Sequence, residues 1–170
     1  AVDAMGGEFG PPIIVSALVA CLKKNMSVEA LIYGDERAIN KELASHALPA
    51  VLGRIKVVHC AEHVSDLDKP SAVLRSKRDS SMGCAVKAVA DQEADACISA
   101  GNTGALMALG LFCLKTLPGI SRPAICTTFP TVRGRTYVLD LGANLECSAG
   151  QLHQFAVLAN FAAQLLDNNT

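Results

Sequence analysis

The chain has 170 residues, a formal net charge of −1, a hydrophobic fraction of 51%, an aromatic fraction of 4% and no Trp. Such a balance argues against nucleic acid as a partner, because a polyanion is held by a basic surface and stacking rings. The longest strongly apolar run, Ala105 to Leu114, falls well short of the ~20 residues that cross a bilayer.

In chain order, "AVDAM" reads as the end of a strand and "GGEFG" as a glycine-rich turn. Pro11 and Pro12 open a helix, where the missing N–H of proline costs nothing. Ile14, Ala17, Leu18, Cys21 and Leu22 form its apolar stripe. "VEALIYG" is the next strand. Asp35 caps a helix carrying Ile39, Leu43 and Ala47, which Pro49 is expected to end. "RIKVVHC" is a third strand. From Ser71 to Gln92 the pattern is helical in two pieces, broken near "RDSSMG".

"ADACISA" reads as a fourth strand, and "SAGNTGALM" joins it to a helix from Thr103 to Leu117. That helix is apolar all round and is therefore expected to be buried all round. "RPAICTTFP" and "TYVLDLG" are two further strands. Ser148 with Gln151 gives a capping box, ahead of a helix expected to bury Phe155, Leu158, Ala162 and Leu165. Strands alternating with helices predict a three-layer αβα fold with a mostly parallel sheet, formed by residues 1–170 as a single α/β unit.

The seven cysteines at 21, 60, 84, 97, 113, 126 and 147 make an odd count without C-x-x-C. They read as small buried hydrophobes of a reducing compartment, which predicts a cytoplasmic protein. "AVDAMGGE" has neither the basic start nor the apolar stretch of a signal peptide.

Three strand ends, "DAMGGEFG", "SAGNTGA" and "DLGANLE", are followed by small residues that let backbone N–H groups approach a ligand. "RDSSMG" adds Ser80 and Ser81 at a helix start. Gly and Ser are also ordinary turn chemistry. It is their recurrence along the one edge where open α/β sheets bind ligands that points to a phosphate or carboxylate site. Dinucleotide binding is disfavoured, since Met5 stands where G-x-G-x-x-G needs its first glycine, and "GNTG" lacks the lysine of a P-loop. "HCAEH", His59 to His63, matches an inverted zinc-peptidase string but follows the strand-like "IKVV", so zinc is not expected. No metal or organic cofactor is implied. An anion is expected near Gly101 to Gly104 rather than at these histidines.

The strings "DAMGG", "KPSAVLRSKRDSSM", "SAGNTGALM", "GISRP" and "LDLGAN", in this order and spacing, closely resemble the phosphate acyltransferases of bacterial phospholipid synthesis, the PlsX family. The resemblance covers nearly the whole chain and matches the N-terminal half of longer family members. It implies transfer of an acyl group from acyl-carrier protein to inorganic phosphate, a fold related to phosphotransacetylases and isocitrate-type dehydrogenases, a cytosolic homodimer, and association with the membrane surface. Glu8 and Glu146 stand where the family carries Asp.

Combined with the residue reading, it predicts phosphate held by "GNTG" and "DSSMG", with Asn102 or Asn144 donating to the developing oxyanion. Asp3, Gly6, Gly7, Ser80, Ser81, Gly101, Thr103, Gly104 and Asp140 complete the expected substrate site. Asn102→Ala is then expected to slow acyl phosphate formation roughly tenfold or more, as loss of an oxyanion donor does, at a nearly unchanged melting temperature. Lys69, Arg75, Lys77 and Arg78 are candidate contacts for the acidic carrier, or a solvated helix face. A coenzyme A thioester as donor, and a non-catalytic anion-binding module, stay open as alternatives.

Overall fold

The computed structural model describes residues 1–46, 48–144 and 146–167. Contacts divide it into two bodies, Ala1–Lys115 and Thr116–Thr170.

In the first body, β1 (Val2–Asp3), β2 (Ala30–Gly34) and β3 (Ile55–His59) form a parallel sheet in the order β1-β2-β3. Val2 sits opposite Ile32, and Ile32 opposite Val57. Alternation along β2 decides the layering. Ala30 and Ile32 pack into a core with Val15, Val19 and Leu22 of α1 (Pro11–Lys24) and with Ile39 and Leu43 of α2 (Glu36–His46). Leu31 and Tyr33 face the opposite way, onto Ala85 and Ala88 of α5 (Ser81–Ala90). The sheet is thus covered on both faces, as parallel sheets require, and the predicted three layers are present. A further cluster joins Val73 of α4 (Pro70–Ser76), Met82 and Val86 of α5, and Ala105 and Leu109 of α6 (Thr103–Leu114).

Helix ends follow the predicted chemistry. Asp35 Oδ1 accepts from the N–H groups of Arg37 and Ala38 at 2.9 and 3.1 Å. Pro49, expected only to end α2, opens the short α3 (Pro49–Leu52) instead, because its fixed φ suits a first helical turn. Ala47 lies outside the described residues. The C-terminal end of α1 is held by Arg54, whose guanidinium donates to the carbonyls of Leu22, Asn25 and Val28 at 2.6 to 3.0 Å.

Several expectations need correction. "ADACISA" contributes a single parallel bridge, Ile98 to Val2, rather than a full strand. The Ile98 carbonyl accepts from Asp3 N–H and its N–H donates to the Ala1 carbonyl, both at 2.9 Å, and the Ala96 carbonyl accepts from the Ala1 amino group at 2.7 Å. In the second body, "RPAICTTFP" and "TYVLDLG" supply β4 (Thr127–Thr131) and β5 (Gly134–Val138), which form an antiparallel hairpin instead of extending a parallel sheet. Two residues separate them, a connection open only to antiparallel neighbours.

Helix α6 stops at Leu114 and is not buried all round. Ala105 and Leu109 are buried, whereas Leu111, Phe112 and Leu114 are 39%, 40% and 49% exposed. Ser148 and Gln151 do form the capping box at the start of α7 (Ala149–Asp167), with reciprocal bonds of 2.8 and 3.3 Å. On α7 Phe155 is buried, but Leu165 is 79% exposed. The cysteines are all free thiols, of which only Cys60 is buried and Cys21 and Cys126 are exposed. Among the described residues, no helix is long and apolar enough to cross a membrane.

Candidate anion site

The turn after β1 is organised by Asp3, which is 2% exposed. Its Oδ1 accepts from Met5 N–H at 3.1 Å and its Oδ2 from the Ser99 hydroxyl at 2.7 Å. Ser99 Oγ in turn accepts from Gly101 N–H at 3.1 Å. One buried carboxylate therefore ties together two turns 96 positions apart in sequence, and both of its oxygens are satisfied, as burial demands.

These turns touch so closely that side chains are excluded. A Cβ on Gly6 would stand 2.6 Å from the Gly101 nitrogen, and one on Gly101 would stand 3.1 Å from Met82 Cε. Met82 belongs to the first turn of α5. The turns Gly6–Gly7 and Gly101–Gly104 thus meet the N-termini of α5 and α6 in one place.

Both helix starts present backbone donors. Ser80 caps α5 by accepting from Gly83 N–H at 3.3 Å, and Ser81 N–H donates to the Glu62 carbonyl at 2.9 Å. Asn102 caps α6, its Oδ1 accepting from Ala105 N–H at 3.0 Å. Its amide protons donate to the carbonyls of Ser65, Asp66 and Asp68 at 3.2, 3.2 and 2.9 Å. The N–H groups of Met82, Thr103 and Gly104 bond to no protein acceptor among the described residues. Helix N-termini with free N–H groups favour a negatively charged ligand. The Ser81 hydroxyl, wholly buried, also has no partner among the described residues.

Asp3, Gly6, Gly7, Ser80, Ser81, Gly101, Asn102, Thr103 and Gly104 are accordingly brought together in the first body. Asp140 and Asn144 lie in the second and are engaged with one another. Asp140 Oδ2 accepts from both the backbone N–H and the side-chain amide of Asn144, at 2.7 and 3.0 Å, and Oδ1 accepts from Ile125 N–H at 3.1 Å. Partial burial pushes the Asp140 carboxyl upward. The N–H donors of Ile125, Asn144 and Ala143 outweigh that and hold it below its ordinary range.

Of the basic side chains, Lys77 is paired with Asp68 at 2.5 Å and Arg78 lies 4.2 Å over the Phe112 ring, while Lys69 and Arg75 are exposed. His59 closes β3 and His63 lies beyond it in a loop. No metal-binding cluster is present among the described residues.

Sequence reasoning missed Ser99 as the bridge between Asp3 and Gly101. Its sequence neighbourhood gives no local sign of a partner 96 positions away. It also missed that the Asn102 amide anchors the 65–68 loop.

The first body is therefore an α/β layer structure in which two glycine turns and two helix N-termini meet as a backbone-lined candidate site for an anion. The whole chain, residues 1–170, matches the family described as fatty acid synthesis protein, and the protein belongs to that family. It is 47% identical over 169 residues to a phosphate acyltransferase of Nitrosococcus oceani, covering 99% of this chain and 49% of the relative. Phosphate acyltransferases of Pseudomonas putida (strain GB-1) and Vibrio parahaemolyticus are 49% and 47% identical, over 98% and 96% of this chain and 49% and 48% of theirs. The chain spans about half the length of these curated relatives.

Proposed function

We propose that this chain carries the phosphate-binding part, the N-terminal half, of an acyltransferase forming acyl phosphate from acyl-[acyl-carrier protein] and inorganic phosphate in phospholipid synthesis. The observation that carries this reading is the meeting of two helix N-termini and two glycine turns, with the N–H groups of Met82, Thr103 and Gly104 free to receive an anion. Family membership and the names of the relatives support the chemistry.

A phosphate oxygen attacks the thioester carbonyl carbon. The carbonyl oxygen gathers charge in the tetrahedral intermediate, then the C–S bond breaks and the carrier leaves as thiolate. The thiolate is a good leaving group, so positioning and preorganised donors supply most of the acceleration. The amides of Asn102 and Asn144 are both engaged with protein acceptors. In this reading they are positioning residues, and backbone N–H groups at Thr103 and Gly104 hold the anion. Asp3 and Ser99 fix the approach of the two turns, and Ser81 offers a hydroxyl at the start of α5. Asp140 holds the second asparagine turn. Exposed Lys69 and Arg75 are the favoured contacts for an acidic carrier. The working protein is a cytoplasmic homodimer that can associate peripherally with membranes.

The test is acyl phosphate formation by the full-length protein with acyl-carrier protein and with acyl-coenzyme A, titrating inorganic phosphate. Saturable phosphate dependence with faster turnover on the carrier substrate, weakened by salt, is expected. Preference for the coenzyme A thioester would shift the assignment to a phosphotransacetylase-like enzyme, and phosphate binding without turnover would leave an anion-binding module.

A further inference from the structure

Cys60 and Cys84 stand out among the seven cysteines. Cys60 directly follows β3, and Cys84 is the fourth residue of α5. The Cys84 side chain lies close enough to act on the Cys60 thiol, while each sulfur also donates to a backbone carbonyl, Cys60 Sγ to Val58 at 3.9 Å and Cys84 Sγ to Asp79 at 3.4 Å. Cys60 belongs to an apolar cluster with Tyr33, Ala85 and Ala88, and Cys84 packs against the same cluster. Both line an open cavity of about 640 Å³ that also takes in His59, Ser76 and Asp79. Cys60 is buried and Cys84 half-buried, so an oxidant entering this cavity meets Cys84 first.

We propose that Cys60 and Cys84 form a reversible redox pair, closed to a disulfide by hydrogen peroxide or an organic hydroperoxide, which clamps the first turn of α5 to the chain leaving β3.

The chemistry divides between the two thiols. Burial, together with the charge and hydrogen bond of Cys84, pushes Cys60 up to about 12, so Cys60 keeps its proton at neutral pH. The first attack therefore falls to Cys84. The Cys84 sulfur attacks the peroxide O–O bond, the bond breaks, the departing oxygen takes the Cys84 proton and leaves as water, and Cys84 becomes a sulfenic acid. The Cys60 sulfur then attacks the Cys84 sulfur, the S–O bond breaks, and the departing hydroxide takes the Cys60 proton as water. In sum, two thiols and one peroxide give one disulfide and two waters, the two electrons passing from sulfur to oxygen.

The clamp joins segments that already touch. Ser81 N–H donates to the Glu62 carbonyl at 2.9 Å, two residues beyond Cys60, and Cys84 Sγ donates to the Asp79 carbonyl at 3.4 Å. The pairing is independent of the acyltransferase reading, although it acts on the helix turn that contributes Met82 N–H to the anion site.

The test is peptide mass mapping of the full-length reduced protein after hydrogen peroxide treatment and alkylation of remaining thiols. A linked peptide pair containing Cys60 and Cys84, two hydrogens lighter than the sum and reopened by dithiothreitol, is expected. Exposed Cys21 and Cys126 stay alkylatable at the same dose. Cys84→Ser, with Cys84→Ala as a second variant, should leave Cys60 a thiol. Cys60→Ser should let Cys84 run on to sulfinic acid. Linkage of either residue to Cys97, which packs against the same cluster, or survival of both thiols once Cys21 and Cys126 are oxidised, would overturn the proposal. Because the readout is a mass, its failure is separable from failure of the acyl transfer assay.

Discussion

In the first body, glycine is required at Gly6 and Gly83 because other backbone occupies the space of a side chain. A Cβ would lie 2.6 Å from the Gly101 nitrogen and 1.9 Å from the Arg78 oxygen, respectively. In the second body, Gly142 has nothing within 4 Å of its missing Cβ, but its φ is +74°. The first kind of glycine records turns built against one another, the second a turn that only has to bend. The Asp residues divide the same way. Asp3 reaches across 96 positions to a hydroxyl, whereas Asp140 bonds Asn144 within its own turn and reaches only 15 positions, to the Ile125 N–H. Mutual packing is what holds free N–H groups at fixed positions, which is why the anion site is proposed where the first kind prevails.

The sharpest way to break this comparison is Gly83→Ala. Alanine in the body of a helix ordinarily stabilises by about 1 kcal/mol over glycine. Here the Arg78 carbonyl would have to move, and a backbone forced aside costs about 3 kcal/mol. A net loss of about 2 kcal/mol in unfolding free energy, read as a lower urea midpoint, is expected. An unchanged or raised midpoint would show that the α5 start is not crowded.

Close to it in size is Asn102→Ala. Loss of an N-cap costs about 1 kcal/mol, and loss of the amide donors to the 65–68 loop adds about 1 kcal/mol more. Taken alone, the sequence predicts lost activity at an unchanged melting temperature. The four hydrogen bonds of Asn102 predict loss of both. For a positioning residue the KM for phosphate should rise more than kcat falls. Asn102→Asp, which keeps the capping oxygen but turns an acceptor toward three carbonyls, should not rescue. Full activity in Asn102→Ala would detach the α6 start from the site.

Much of this was legible from local pattern. The strand "VEALIYG", the proline-opened α1, the Asp35 cap and the Ser148–Gln151 box rest on local sequence, and the structure contains each. The glycine strings could likewise be read as loops admitting close backbone approach. What could not be read are the partners across the chain. Nothing around Ser99 announces Asp3, and the alternating strand pattern does not distinguish a lone bridge at Ile98 from a strand, or a hairpin at Thr127–Val138 from two parallel strands. The apolar α6 misled for a related reason. Composition says a surface is hydrophobic, not that this part of the chain covers it, and Leu111, Phe112 and Leu114 are left partly exposed.

The smallest effect sharpens the other side of the comparison. At Gly142 space is open, so only the backbone conformation resists a side chain. Placing an L-residue in the left-handed region costs roughly 1 kcal/mol, and Asn tolerates that region better than Ala because its short polar side chain can bond locally. Gly142→Ala should therefore lower stability by about 1 kcal/mol, with Gly142→Asn recovering part of the loss. Crowding would reverse that order, since Asn is the larger side chain. The disturbance should also stay near the Asp140 turn, where hydrogen exchange at the Ile125 and Asn144 amides would speed up. Exchange at Gly101, whose N–H is held by Ser99 in the first body, should remain as in the unaltered protein. A larger penalty for Asn than for Ala would mean that Gly142 is crowded after all, and that crowding does not distinguish the two bodies.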